Sequence, residues 1–369
     1  MFPNQQPLEA IMPYTTQTTQ ICSRKRELSR RAHLAALALL MLAAFFLLAA
    51  RPAAAAETLR FANFPAAGTF PCVSMEQWAA EIQKRTNGAV RVETYPGGTL
   101  LDAKSMVRGV IQGQADIGCI SLAYHPGAYP FLSAFELPLG FSSAEEASAI
   151  LFDLQSRHQP KETARVKVIG MFTSAPSQVL SVKPLKNIED MKGMPIRSAG
   201  ILADVTASMG ANPVSMPQSD TPEALQKGVI QGVFTSLDVM KDYNFAESCR
   251  YVLKVDMPVY PFMVFMNRDK WDSLPAEVQA AIDGYAREYS VWTGKYVDGH
   301  GKAAMRWSEE TYGAAMTDLE EAQKAELFER ARPVIDEWIK KAEAKNVAAN
   351  GLLEEIRAAR SAYAEKSGQ

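Results

Sequence analysis

The chain has 369 residues, 47% of them hydrophobic and 22% charged, and a formal net charge of -2 at pH 7. This length allows two domains of about 150 residues each. The near-neutral charge, without a basic run in the body of the chain, argues against a nucleic-acid partner.

Residues 1–56 have the layout of a secretory signal peptide. Basic clusters at residues 24–26 and 30–31 precede an apolar run from Leu34 to Ala50, and an alanine-rich stretch follows. We predict cleavage near Ala56 and export to the periplasm. An uncleaved anchor is the alternative, because the apolar run is long for a leader. The polar residues before the basic clusters favour a translation start at Met12 or later.

The next segments alternate between strand and helix patterns. The spacing of apolar residues predicts, in order, a strand at Leu59–Asn63, a helix ending before Asn87, a strand at Val90–Thr94, a helix over Met106–Ile111 and a strand ending near Ser121. The glycine-rich turn at residues 95–100 lacks the glycine and lysine spacing of a phosphate-binding loop. Phe64 follows the first strand, so its loop is a candidate cleft wall.

A loop rich in proline, glycine and aromatic residues then runs from His125 to Phe141. Serine and glutamate at residues 142–146 predict a capping box that opens a helix. Strands are predicted at Val166–Phe172 and Val179–Val182. The segment between them, residues 173–178, is a candidate crossing between the two domains.

The stretch from Ile188 to Thr235 contains the charged residue best suited to binding a ligand. A short predicted strand ends at Arg197, directly before a helix, and ligands bind at the carboxyl ends of strands in open α/β sheets. A guanidinium there can hold a carboxylate through two parallel hydrogen bonds. We therefore hypothesise that Arg197 binds the carboxylate of a small organic acid. A local pair with an acid such as Asp190 is the alternative.

The last third of the chain is predicted to be mainly helical. Strands at Tyr251–Val255 and Val259–Met266 precede a long helix from Pro275 to about Glu310, and Thr317 with Glu320 predicts a further capping box. The apolar stripe of the long helix consists of Val278, Ile282, Tyr285, Tyr289, Trp292 and Tyr296. Two amphipathic helices complete the chain, so alternating strands and helices indicate a mixed α/β protein.

Several motifs resemble those of the substrate-binding proteins of TRAP (tripartite ATP-independent periplasmic) transporters, the DctP family. The motifs are DMKGMPIR at 190–197, MGANPVSM at 209–216, EALQKGVIQG at 223–232 and NRDKWDSLP at 267–275. Further matches extend the resemblance over nearly all of the chain after residue 57. In that family the arginine at the position of Arg197 binds a substrate carboxylate.

The resemblance implies a two-lobed periplasmic binding protein fold with discontinuous lobes, a long lobe-spanning helix and a ligand cleft between the lobes. Lobe one would comprise residues 57–174 and 263–303, and lobe two residues 175–262 and 304–369. It further implies a monomer without a cofactor. This monomer would deliver an organic acid to the small and large membrane permease subunits.

The resemblance also places candidate ligand contacts. Positions that contact substrate in relatives fall on Phe64, Ser121, Gln218 and Thr235, and Tyr124, Tyr260 and Phe262 lie near them. Ser177 stands where members that bind sugar acids often carry a second arginine, so the cleft of this chain lacks that second positive charge. An apolar wall with one carboxylate anchor favours a hydrophobic or aromatic monocarboxylate, or a short oxo-acid.

An enzyme and a stand-alone sensor or scavenger are the alternative functions. The sequence has no nucleophile elbow and no zinc-protease motif, which argues against a periplasmic hydrolase. His125, His158 and His300 are isolated, and the pair Glu145 and Glu146 is expected at an exposed helix start. A sensor would use the same fold and cleft.

Three cysteines, Cys72, Cys119 and Cys249, follow the leader. Their odd number allows at most one disulfide, and only Cys72 and Cys119 are expected to approach each other. No cysteine or histidine spacing resembles a metal site.

Overall fold

The computed structural model describes residues 29–41 and 56–367. Met1–Ala55 and Ala56–Gln369 are separate units. In the first unit, residues 29–41 form an exposed helix, α1, and the rest of the predicted leader lies outside the described residues. Among the helices that are described, none combines the length and the apolar character needed to cross a bilayer.

The first sheet has five strands. They are β1 (Glu57–Asn63), β2 (Val90–Tyr95), β3 (Ile117–Ser121), β4 (Val166–Thr173) and β10 (Pro261–Asn267), arranged in the order β2-β1-β3-β10-β4. Strands β1, β2 and β3 are parallel, and β10 runs antiparallel to both of its neighbours. Helices α2 (Phe70–Arg85), α3 (Met106–Ile111) and α4 (Ala144–His158) accompany this sheet.

The second sheet has six strands. They are β5 (Ser177–Ser181), β6 (Pro195–Arg197), β7 (Asn212–Val214), β8 (Gly232–Thr235), β9 (Tyr251–Met257) and β11 (Ala315–Asp318), in the order β11-β9-β5-β8-β6-β7. Strands β7, β6 and β8 are parallel to one another. Helices α5 (Ile201–Ser208), α6 (Thr221–Gln226) and α7 (Val239–Asp242) lie between these strands in the chain.

Helix α9 (Ala276–Tyr312, 37 residues) follows the short α8 (Arg268–Ser273) and contacts elements on the sides of both sheets. It packs on α2, α4 and β4 and, further along, on α7. Val278, Ile282, Tyr285 and Tyr289 are buried as the stripe predicts, whereas Trp292 and Tyr296 are half-buried. The predicted α/β class and the predicted long helix are therefore confirmed.

The start of α4 is capped from two sides. The Ser143 hydroxyl accepts a hydrogen bond from the Glu146 amide (3.0 Å), and the Glu146 carboxylate accepts from the Ser142 amide (2.7 Å). The predicted cap therefore forms, but Glu146 is not exposed as expected. It is 3% accessible and forms an ion pair with Arg360 (2.9 Å) from the last helix, which covers it.

The predicted capping box of Thr317 and Glu320 is wrong. Thr317 lies in β11, and the side chain of Glu320 makes no capping hydrogen bond at the start of α10 (Glu321–Glu343). Strand β11 was not predicted because all four of its side chains are exposed, so it shows no apolar alternation. Strand β8 was missed because it is a short, fully buried run directly after a helix signal.

The last helix, α11 (Ala349–Ser367), packs on α4. Leu352, Leu353 and Ile356 are buried in the same apolar cluster as Leu151 and Leu154 of α4. Helix α11, which the predicted boundaries place in lobe two, thus packs on a helix that accompanies the first sheet.

All three described cysteines are buried free thiols. Burial raises the pKa of Cys72 and of Cys249 to about 12, and raises the pKa of Cys119 well above its usual value. Thiols held in the protonated form are poor nucleophiles. Their role is therefore one of packing, and the expected approach of Cys72 and Cys119 forms no disulfide.

Candidate functional site

Four strands from the two sheets end at one cavity. Phe64 directly follows β1, and Ser121, Arg197 and Thr235 are the last residues of β3, β6 and β8. Strands β1 and β3 are parallel in the first sheet, as are β6 and β8 in the second. The carboxyl edges of both sheets thus face the same space, which is where α/β folds bind ligands.

The walls of this cavity leave about 480 Å³ between them, including the part that opens to solvent. They are formed by Phe64, Pro65, Thr69, Phe70, Pro71, Ser121, Tyr124, Ser174, Arg197, Gln218, Thr235, Ser236, Asp238, Val239, Tyr243, Tyr260 and Phe262. Of the predicted contacts, Phe64, Ser121, Tyr124, Arg197, Gln218, Thr235, Tyr260 and Phe262 all line this cavity. Ser177 is not among the lining residues.

Arg197 is 1% accessible, and its guanidinium is held without a carboxylate. Its Nε and Nη2 atoms donate to the backbone oxygen of Met216 (3.1 and 2.8 Å), and Nη2 also donates to the Tyr124 hydroxyl (3.2 Å). Its Nη1 atom donates to no group of the described residues. The alternative partner, Asp190, instead accepts hydrogen bonds from the Lys186 and Asn187 amides.

Two neutral donors belong to residues that line the same cavity. The Tyr124 oxygen accepts from Arg197 and from the Gln218 amide (3.0 Å), which occupies both of its lone pairs and leaves its own hydrogen available. The Gln218 Nε2 atom is buried and has no hydrogen-bond partner among the described residues. Together with Nη1 of Arg197, these donors match a carboxylate.

Aromatic rings form much of the remaining wall. The rings of Phe64 and Tyr124 meet edge to face at 5.5 Å, and Phe70 meets Phe262 in the same way at 5.4 Å. Tyr260 accepts from the Ala199 amide and donates to the Phe234 carbonyl, so its hydroxyl joins the ends of β6 and β8. Burial raises the pKa of Tyr260 to about 12, which keeps it a neutral phenol.

The cavity also contains a buried acid, Asp238, which was not predicted from the sequence. It is 2% accessible, and its Oδ1 atom accepts a hydrogen bond from the Ser236 hydroxyl (2.5 Å). Burial, followed by repulsion from Asp242, raises the pKa of Asp238 to about 6. Asp238 follows β8 by three residues in a turn, where no periodic signal marks a side chain as buried.

Behind Asp238, His300 of α9 binds Asp242 of α7 (Nε2 to Oδ1, 2.7 Å). This hydrogen bond raises the pKa of His300. The histidine is therefore a structural partner of a carboxylate, and His158 similarly pairs with Glu355. Within the described ranges, no group of three or more histidine, cysteine or acidic side chains is arranged to hold a metal ion.

Ser177 lies in β5, is fully buried, and its hydroxyl has no hydrogen-bond partner within the described residues. The cavity wall at this crossing is Ser174 instead, whose hydroxyl donates to the Ala175 carbonyl and accepts from the Tyr260 amide. Neither serine carries a charge. Arg197 is the one arginine among the residues that line the cavity.

Residues 61–341 match the family model "Bacterial extracellular solute-binding protein, family 7", DctP. One similar solved structure is a TRAP periplasmic solute binding protein from Desulfovibrio salexigens. It is 50% identical, the comparison covers 84% of this chain and 97% of that one, and the TM-score is 0.78.

A second similar structure is a marine metagenome TRAP solute binding protein specific for aromatic acid ligands, in complex with 3-hydroxybenzoate. It is 27% identical with a TM-score of 0.79, over 84% of this chain and 99% of that one. Among curated proteins, the 2,3-diketo-L-gulonate-binding periplasmic protein YiaO of Escherichia coli is 25% identical over 274 residues, which is 72% of this chain and 83% of that protein.

Proposed function

The chain belongs to family 7 of the bacterial extracellular solute-binding proteins, and on this premise we propose that Arg197 captures a small organic acid by its carboxylate. Members of this family are extracytoplasmic receptors that work with TRAP membrane permeases. They are not enzymes, so the alternative of a hydrolase has no support.

The observation that carries the proposal is the buried guanidinium of Arg197 without an anionic partner. A buried charge that lacks a partner costs several kcal/mol, so the site gains most when an anion enters. Arg197, Tyr124 and Gln218 would then donate hydrogen bonds to the two carboxylate oxygens.

The walls favour an acid with an apolar body. Phe64, Phe70, Phe262 and Val239 offer flat or branched apolar surface beside the anchor. The marine relative that is described as specific for aromatic acids also supports an apolar ligand. The name of YiaO, which gives a diketo sugar acid as its ligand, supports a short oxo-acid as the second candidate. An aromatic monocarboxylate is the ligand class that we favour.

The proposed mechanism is closure of two lobes over the bound acid. Lobe one comprises residues 57–174 and 263–303, and lobe two comprises residues 175–262 and those that follow 303, except that α11 packs on lobe one. The protein works as a monomer after cleavage near Ala56, and hands its ligand to the small and large permease subunits. Hinge closure of this kind buries the ligand between the lobes.

A thermal-shift screen of the purified protein against a panel of carboxylates tests the proposal. A ligand that binds only the folded form raises the melting temperature, and we expect benzoate-like acids to do so. Arg197→Ala should weaken the best ligand at least 30-fold, because a truncated buried charge pair costs about 2–5 kcal/mol.

Arg91→Ala is the matched control, since Arg91 is exposed on β2 and outside the cavity. Equal affinity of the Arg197→Ala variant and the Arg91→Ala variant for the same acid would overturn the assignment.

A further inference from the structure

The ligand cavity contains an anion as well as a cation, and the two do not pair. Arg197 ends β6, whereas Asp238 follows β8 and lies beside Tyr243 and Val239. No ion pair joins Asp238 to a basic residue in the described part of the chain. Both side chains line the cavity that we propose for the ligand.

The carboxyl group of Asp238 has capacity to accept another hydrogen bond. The Ser236 hydroxyl donates to Oδ1, and the amide of Asp238 itself also interacts with the carboxyl group. No other described residue donates a hydrogen bond to Oδ2. An ionised carboxylate offers about four lone-pair positions, so acceptor positions remain. A buried acid without enough donors is costly, and a donor on the ligand would relieve that cost.

We propose that the solute carries a hydrogen-bond donor, a hydroxyl or amino group, at the end remote from its carboxylate, and that Asp238 accepts from this group. This inference rests on the proposed function and narrows its ligand class. A second carboxylate at the same position would meet Asp238 as a like charge, so Asp238 also excludes dicarboxylates. Ser236 orients the acceptor by holding Oδ1.

Titration calorimetry on the whole protein with size-matched aromatic acids tests the inference. The probes are benzoate, 3- and 4-hydroxybenzoate, 3- and 4-aminobenzoate, and benzene-1,3-dicarboxylate. We expect at least one hydroxylated or aminated acid to bind about ten-fold or more tighter than benzoate, as a hydrogen bond to a charged acceptor allows. The dicarboxylate should bind weaker than benzoate by a similar factor.

Two variants assign these preferences to Asp238. In Asp238→Leu the gain from the hydroxyl or amino group, measured as the affinity of each probe relative to benzoate in the same variant, should disappear. Asp238→Asn keeps the shape, removes the charge, and should relieve the penalty on the dicarboxylate at least three-fold. Asp269→Asn, at an exposed position on α8, is the control and should bind every probe as the unmodified protein does.

The outcomes separate this inference from the proposed function. Equal binding of benzoate and all its hydroxyl and amino derivatives, or a preference that survives in both Asp238 variants, would overturn the role of Asp238 while Arg197-dependent binding still stands. If neither these acids nor any other carboxylate is bound, the proposed function itself fails.

Discussion

The Tyr124 hydroxyl connects the ligand anchor to the loop beside it. It accepts hydrogen bonds from the side chain of Arg197 and from the backbone amide of Gln218, which lie on separate segments of the second sheet's side. Tyr124 itself follows β3 in the first sheet. One oxygen atom therefore orients two groups that we assign to the carboxylate, and does so from the opposite wall.

We predict that Tyr124→Phe weakens carboxylate binding about ten-fold or more. The variant loses a hydrogen bond to a charged acceptor, which contributes about 1.5–3 kcal/mol, while the ring and its packing on Phe64 are retained. Calorimetry with the best acid measures the effect. Tyr129→Phe is the control, since Tyr129 is also buried but does not line this cavity. An unchanged affinity in Tyr124→Phe would remove Tyr124 from the site.

Among the helices, α9 approaches α4 so closely that one position requires glycine. A Cβ atom on Gly294 would lie 2.5 Å from the Ala144 carbonyl oxygen, closer than real contacts allow. One turn later, the Asp298 carboxylate accepts the Ala144 and Glu145 amides (2.8 and 3.0 Å). The long helix thus caps the N-terminus of α4, and the missing side chain at Gly294 permits that approach.

Gly294→Ala should destabilise the protein by about 1–3 kcal/mol despite the better helix propensity of alanine, because the new methyl group meets backbone rather than a movable side chain. Gly284→Ala in the same helix is the matched control. Apart from the nearby backbone of the helix itself, no atom lies within 4 Å of the place that its methyl group would take, so it should stabilise by up to about 1 kcal/mol. Urea unfolding measures both. Stabilisation by Gly294→Ala would contradict the close contact.

How much was predictable depended on whether a segment had a repeating pattern. The stripe of α9 and the motif that ends at Arg197 predicted a long helix and an anchor at a strand end, and the family match confirms the resemblance. Strand β11 and the turn that contains Asp238 were missed, because exposed edge strands and irregular turns have no apolar period. The burial of Glu146 was also missed, since it depends on a helix about 200 residues later.

Across the molecule as a whole, one buried acid links the two sheets. Glu136, just before α4, accepts a hydrogen bond from the Ile201 amide (2.9 Å) at the start of α5 on the second sheet's side. Gly200 lies so close that a Cβ there would be 2.2 Å from the Glu136 carboxyl oxygen, and its φ of 58° also favours glycine. Burial, with a smaller contribution from Asp204, raises the pKa of Glu136 to about 7.

This raised pKa predicts how stability depends on pH. The folded protein holds the Glu136 proton more tightly than the unfolded chain, whose glutamates titrate near 4.5. The contribution of protonated Glu136 to the free energy of unfolding is therefore complete below pH 4.5. This contribution, roughly 3 kcal/mol, is lost as the pH rises to about 7. Glu136→Gln mimics the protonated acid, so it should match the parent at pH 4.5 and exceed its unfolding free energy at pH 7.5.

Urea unfolding between pH 4.5 and 7.5 measures this difference. The raised pKa of Asp238 also makes stability depend on pH, but its effect is the same in Glu136→Gln and in the parent, so it cancels in the difference between them. Glu310→Gln, on the exposed surface of α9, should follow the parent at every pH. A constant difference between Glu136→Gln and the parent over the whole range would contradict the raised pKa.

The order in which the strands of the first sheet are made has a consequence for assembly. Strand β10, which lies between β3 and β4, begins at Pro261, almost 90 residues after β4 ends at Thr173. Until that late strand arrives, the facing edges of β3 and β4 have no backbone partner. A nascent chain therefore cannot complete this five-stranded sheet until residues 261–267 have been synthesised.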